Sequence, residues 1–278
     1  MPSARHDAEE LAAFVLGTTP SQVRTAALRG DDVRLGESFD ELVDQRARRK
    51  PLQHLTGRAP FRDLVLDVGP GVFVPRPETE LVAGEAVDEA RRLVALGDEP
   101  VVVDLCTGSG AIALAVATEV PGARVHAVEL SEEACAWARR NVELLRASGE
   151  VLVDLRQGDA ATSFADLDGG VDVVVSNPPY IPPDSEPSDP EVRDHDPRLA
   201  LYGGGPLGLD VPAQVATAAA RLLRPGGLLV MEHADVQQVQ VLALLARSRA
   251  DGRPIWDDAQ GHSDLAGRPR YVTARRRS

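Results

Sequence analysis

The chain has 278 residues, 43% of them hydrophobic, and its 43 acidic against 30 basic side chains give a formal net charge of −13. That length accommodates one large core and a small second unit, since domains run roughly 100–200 residues, and the acidic balance opposes binding to nucleic acid through its phosphates or to an anionic membrane surface. The leading MPSARHDAEELAAF has no apolar signal-peptide core, no stretch approaches the ~18–20 apolar residues of a membrane span, and Cys106 and Cys135 stand without metal-ligand spacing, so we expect a soluble cytoplasmic protein with reduced thiols and no bound metal.

From Ala8 to Lys50 the chain is rich in Ala, Leu, Glu and Arg at helical spacing, which predicts a small helical unit. RAPFRDLVLDVGPGVFVP then changes character. Two β-rich runs, Leu64 to Val68 and Val72 to Val74, flank Gly69-Pro70-Gly71 and read as a hairpin. RPETELVAGEAVDEARRLV opens with proline and acids suited to a helix N-terminus. From Glu99 onward VVVDL, AIALAVATEV, ARVHAVEL, EEACAWARRNVELL, VLVDLRQ, VDVVVSN, AQVATAAARLLR and GGLLVMEH alternate strand and helix patterns. Such alternation predicts an α/β unit, a parallel sheet covered by helices on both faces. The expected boundaries are 1–60 for the helical unit, 61–76 for the hairpin and 77–278 for the α/β domain. Pro182 to Asp210 reads as one long Pro-, Asp- and Gly-rich loop, of the kind that is usually functional or mobile.

The chemistry begins in VVVDLCTGSGAIALA. Asp104 ends a buried strand, Cys106-Thr107-Gly108-Ser109-Gly110 forms the turn, and a helix starts near Ala111. Glycines there let backbone N–H groups approach a ligand, and the helix N-terminus favours an anionic group. Gly108-x-Gly110-x-x-Ala113 also satisfies a loose dinucleotide fingerprint, so a nicotinamide enzyme and a plain tight turn both stay open at this point. Glu129, about 20 residues on at the end of HAVE, is placed to accept bonds from both hydroxyls of an adenosine ribose. Asp159 and Ala160, after the third strand, fall where an adenine edge would lie.

VDVVVSNPPYIPP ends an apolar strand in residues that cannot continue a sheet. The Asn177 carbonyl can accept one hydrogen bond from an –NH₂ group, and the backbone carbonyl of Pro178 can accept the other. Tyr180, with Pro179 beside it, offers a face to a planar group. This describes a pocket for a planar amine, which hydride transfer does not need. A bare strand terminator is the alternative.

Asn-Pro-Pro-Tyr at this place resembles the amino-modifying branch of the class I S-adenosylmethionine-dependent methyltransferases. RRKPLQHLTGRAPF, GVFVPRPETELV, DLCTGSGAIALA, SNPPYIP, EVRDHDPRLALYGGGPLGLD, GGLLVMEHADVQ and HSDLAGRPRYVTARR extend the resemblance to the release factor glutamine methyltransferase family along nearly the whole chain. It implies a Rossmann-like, mostly parallel sheet with an antiparallel edge strand, S-adenosyl-L-methionine as cofactor with S-adenosyl-L-homocysteine as product, and a release-factor-docking role for the helical unit. It further implies methyl transfer to the amide nitrogen of the glutamine in the Gly-Gly-Gln loop of class-1 peptide chain release factors, with Asn177, Pro178 and Tyr180 catalytic. Residues 177–180 would bind that glutamine. Asp104, Cys106, Thr107, Gly108, Ser109, Gly110, Glu129, Asp159, Ala160 and Asn177 would surround the cofactor, and the enzyme would act as a monomer without nucleic acid.

Two departures from the family pattern stand out. Cys106 replaces a glycine, which removes freedom at positive φ, and Ala234 replaces another. The helical region, opening at SARHDAEE, is shorter than the family's. Arg76 and Glu78 are expected at the pocket mouth or tying the hairpin to the catalytic domain, and His195 and His233 in structural roles. Two other substrates fit the same pocket: a ribosomal-protein glutamine, and an adenine N6 amine in nucleic acid, for which Arg46, Arg48, Arg49 and Lys50 would supply a local basic patch.

Overall fold

A computed structural model of the chain describes residues 4–147, 149 and 152–278; residues 1–3 of the expected helical unit and Val151 of the expected VLVDLRQ strand lie outside them. The helical unit comprises α1 (Ala4–Leu16), α2 (Pro20–Arg29), α3 (Glu37–Ala47) and α4 (Leu52–Thr56). Thr19 and Gln22 form a reciprocal capping box that starts α2, with Pro20 in its first turn, and Gly30 ends it in the left-handed conformation. Arg46 is buried. Its guanidinium bonds Asp7 of α1 at 2.7 Å and Glu191 at 2.8 Å, Arg49 bonds Asp189 at 3.1 Å, and Lys50 bonds Gln45 at 3.0 Å. Arg46 and Arg49 are therefore neutralised by acids of the long loop and are not a free basic patch.

The hairpin lies earlier than the sequence suggests. β1 (Arg58–Phe61) pairs with β2 (Leu64–Asp67), so the reversal falls at Arg62-Asp63 and not at Gly69-Pro70-Gly71. Arg62 takes a left-handed φ of 51°, unusual for a residue with a Cβ. Tertiary contacts hold it there, since its N–H donates to Glu80 at 3.1 Å and its guanidinium to Glu119 at 2.8 Å. The glycines do different work. A Cβ on Gly69 would overlap the indole of Trp137, whose Nε1 donates to the Pro70 carbonyl at 3.1 Å. The Gly-Pro-Gly stretch is a seat for that ring, and Val68, Val72 and Val74 run on into the core.

The α/β domain continues through α5 (Thr79–Ala95), β3 (Val101–Leu105), α6 (Ala111–Glu119), β4 (Arg124–Glu129), α7 (Glu132–Ala147), β5 (Val153–Gln157) and β6 (Val171–Ser176). The segment expected as one loop contains two short helices, α8 (Pro190–His195) and α9 (Arg198–Leu201). Asp189 caps α8, and a bridge joins Ile181 to Tyr202. Then follow α10 (Asp210–Leu222), β7 (Leu223–Glu232), α11 (Gln238–Arg247), the two-residue strands β8 (Arg249–Ala250) and β9 (Arg253–Pro254), β10 (Trp256–Ser263) and β11 (Pro269–Arg276).

Seven strands form one sheet in the order β10-β11-β7-β6-β3-β4-β5. The five from β7 to β5 are parallel, and the antiparallel pairings, β11 with β7 and β10 with β11, lie at the other end. Side chains alternate across the sheet, so Val173 and Val175 of β6 pack under α5 and α6 while Val174 faces α10 and α11. Burial on both faces explains the unbroken apolar runs; each buried valine contributes about 1.5–3 kcal/mol. The chain steps outward from β3 through β4 to β5, then returns to β6 on the other side of β3. Strand order reverses there, and ligands of open α/β sheets bind at the carboxyl ends of such strands. Leu105 and Ser176 mark those ends and stand in register, with the Ser176 hydroxyl donating to the Leu105 carbonyl at 2.6 Å.

Candidate active site

A cavity of about 400 Å³ opens at this reversal point. One wall is the turn after β3. Asp104 is fully buried behind it, accepting from the Thr107 hydroxyl at 2.5 Å and from Ala113 N–H at 3.1 Å. Cys106, Thr107, Gly108 and Ser109 line the cavity, whereas Asp104 and Gly110 support the turn from outside the lining. Cys106 adopts φ 63° in spite of its Cβ, and its side chain packs on the core beneath the sheet.

Glu129, at the end of β4, accepts from Gly108 N–H at 2.8 Å with one oxygen and from Ser131 N–H at 2.8 Å with the other. Each oxygen keeps a lone pair for a further donor. Burial raises its pKa. Asp159 and Ala160 lie on the same wall, with the Asp159 carboxylate shaping its own turn through Ala161 N–H at 2.8 Å. At Gly108 nothing lies within 4 Å of where a Cβ would stand. A glycine turn open to the cavity and a carboxylate with free lone pairs fit an adenosine-bearing cofactor.

The opposite wall carries Asn177, Pro179 and Tyr180. Pro178 is buried outside the lining. The Asn177 Nδ2 donates to the Thr79 hydroxyl at 3.2 Å, and that hydroxyl donates to Glu232 Oε2 at 2.8 Å. Tyr180 OH donates to Glu232 Oε1 at 3.3 Å. Thr79 and Glu232 were not picked out in the sequence, although Glu232 ends a buried apolar strand, LLVME, much as Glu129 ends HAVE.

The backbone of this wall is held from behind. Gln237 Nε2 donates to the carbonyls of Tyr180 and Leu207, both at 2.7 Å, and Gly203 N–H donates to the Ile181 carbonyl at 3.0 Å. Arg76 and Glu78 also line the cavity. Arg76 pairs with Asp196 of the long loop, and Glu78 meets Arg268 at 3.4 Å. His233 is buried, its Nδ1 within 2.7 Å of the Ala234 carbonyl.

Burial pushes the carboxyls of both Asp104 and Glu232 up to about 7. Both folded values exceed the unfolded ones, so between about pH 4 and 7 the folded state binds more protons, and stability falls as pH rises through that window. We expect a melting temperature several degrees higher at pH 6 than at pH 8 by differential scanning calorimetry, roughly 4–8 °C if about 2 kcal/mol is lost. Asp104→Asn should roughly halve that difference, leaving the Glu232 contribution.

Residues 84–187 match the methyltransferase small domain model, and residues 1–57 match the PrmC N-terminal domain model. The fold is also similar to that of the solved T. thermophilus 16S rRNA N2 G1207 methyltransferase in complex with AdoMet and guanosine (TM-score 0.54, 19% identity, 79% of this chain and 50% of that one). Sheet, cavity and domain match together define a class I methyltransferase. Across 99% of its length the chain is 55% identical to the release factor glutamine methyltransferase of Streptomyces coelicolor, covering 92% of it, and across 97% it is 44% identical to that of Bifidobacterium longum, also covering 92%. The chain belongs to the release factor glutamine methyltransferase family. It is also 42% identical, over 92% of its length and 86% of the relative's, to a 4-amino-L-phenylalanine/4-methylamino-L-phenylalanine methyltransferase of Streptomyces pristinaespiralis.

Proposed function

We propose that the protein transfers a methyl group from S-adenosyl-L-methionine to the side-chain amide nitrogen of the glutamine in the Gly-Gly-Gln loop of class-1 peptide chain release factors, acting as a cytoplasmic monomer. The observation that carries this reading is the fixed Asn177 amide: its –NH₂ is anchored by a hydrogen bond to Thr79, which turns Oδ1 away from Thr79 to accept from a planar –NH₂ brought into the cavity.

The bound cofactor supplies an electrophilic methyl on a sulfonium. Glu129 would hold the ribose hydroxyls, Asp159 and Ala160 would border the adenine, and residues 106–109 would border the methionine part. An amide nitrogen is a poor nucleophile because its lone pair is delocalised into the carbonyl. Asn177 Oδ1 takes one N–H of the substrate amide, and Tyr180 packs on its plane. That orients the nitrogen in line with the methyl, so proximity supplies much of the rate. The N–CH₃ bond would form as S–CH₃ breaks, leaving S-adenosyl-L-homocysteine; the Asn177 carbonyl dipole stabilises the positive charge passing to nitrogen, and one N–H proton is then lost to solvent.

Arg46 and Arg49, both engaged by acids, weigh against a nucleic-acid substrate. A ribosomal-protein glutamine would use the same chemistry, and an aryl amine presents a similar planar –NH₂. Incubating the protein with labelled cofactor and, separately, a purified release factor, ribosomal proteins, an adenine-bearing oligonucleotide and 4-aminophenylalanine tests the reading. Label is expected in the release factor at the highest kcat/KM. Preferential labelling of any other acceptor would overturn it.

A further inference from the structure

An asparagine side chain has an acceptor end and a donor end of nearly the same shape, and a pocket built on it works only if the right end faces the substrate. Thr79 cannot decide this alone, because a hydroxyl either accepts or donates along a given line. The deciding group is Glu232, which is 2% exposed, ends β7 and, when ionised, can only accept. Its Oε2 takes the Thr79 hydroxyl proton at 2.8 Å, which leaves the Thr79 oxygen as acceptor for Asn177 Nδ2 at 3.2 Å.

We propose that Thr79 and Glu232 are positioning residues that fix the polarity of the Asn177 amide, so that its oxygen and not its nitrogen faces the acceptor –NH₂. The proposal rests on the methyl-transfer reading above and assigns its selectivity for an amine to a three-residue relay drawn from three elements, α5, β7 and the turn after β6. Reversing Asn177 would take the donor from the Glu232 carboxylate or set the Asn177 –NH₂ against the substrate –NH₂, so both ends of the relay oppose it. Glu232 also receives the Tyr180 hydroxyl at 3.3 Å. One buried carboxylate thereby sets the ring that packs on the amide plane together with the acceptor that holds the amine.

The test is a set of single-turnover methylation rates on a purified release factor at pH 8, with cofactor affinity measured by calorimetry on each variant. Thr79→Val keeps the shape and removes the hydroxyl. It should slow transfer roughly 10- to 100-fold, the range of a hydrogen bond to a charged group, while the cofactor Kd stays within about threefold. Thr79→Ser restores the hydroxyl and should recover most of the rate. The distinguishing readout is the same pair in an Asn177→Asp background. A carboxylate has no donor end to misplace, so there Thr79→Val should cost less than about twofold. An equal loss in both backgrounds, a wild-type rate for Thr79→Val, or no recovery with serine would each overturn the relay. If Asn177→Asp is inactive, the serine and valine rates decide, and if Thr79→Val folds poorly, Thr79→Ala is read in its place. A wild-type protein that leaves the release factor unmethylated is a separate result, which removes the functional reading itself.

Discussion

Asn177→Ala should lower kcat at least about 10²-fold and change the affinity for S-adenosylmethionine by less than about threefold. The expected size is that of removing one preorganised polar group from a transition state, and here the loss of in-line orientation adds to it. The asymmetry between rate and affinity follows from the two walls. The turn after β3 and Glu129 are held by their own hydrogen bonds, Thr107 to Asp104 and Gly108 to Glu129, and none of these passes through Asn177. Its side chain reaches across to Thr79 instead. Steady-state kinetics with calorimetric cofactor binding separates the two effects, and a large loss of cofactor affinity would move Asn177 from the substrate side to the cofactor side.

Gly203→Ala should be nearly as damaging although Gly203 touches no reacting group. A Cβ there would meet the carbonyl oxygen of Gly208, that of Pro179 at 2.6 Å and the Tyr180 Cα at 2.8 Å. All three are backbone, so none can swing aside as a side chain would. Either the Pro179-Tyr180 segment moves or the 203–208 loop does, and the bridge between Ile181 and Tyr202 couples the two. Overpacking of this kind typically costs 1–3 kcal/mol and occasionally more. Displacing catalytic groups by about 1 Å can cost ~10²-fold in rate. We expect a melting temperature lowered by several degrees and kcat lowered more than about tenfold; a variant with native stability and rate would show that the segment tolerates the shift.

The legible parts of the sequence were those where local pattern and tertiary demand coincide. Val101–Leu105 and Val171–Ser176 are buried on both faces, so composition alone marks them as strands. The turn glycines and Glu129 were legible because their places relative to a strand end are fixed by the fold. The hairpin failed because its turn is specified from a distance: Glu80 and Glu119 hold Arg62 in a left-handed conformation, while the conspicuous Gly69-Pro70-Gly71 answers to Trp137. Pro182 to Asp210 looked structureless because its helices are too short to show a period and are anchored by ion pairs to Arg46 and Arg76. Thr79 and Glu232 escaped for a related reason, since they lie 153 residues apart and acquire meaning only when α5 and β7 bring them together.

The most direct measurement is peptide mapping by mass spectrometry of a purified class-1 release factor after incubation with the protein and S-adenosylmethionine, with fragmentation to localise the modification. The account predicts a gain of one methyl group on the side-chain amide nitrogen of the glutamine in the Gly-Gly-Gln loop, absent with Asn177→Ala. An unmodified loop glutamine, or a methyl group on any other residue of the release factor, would contradict it.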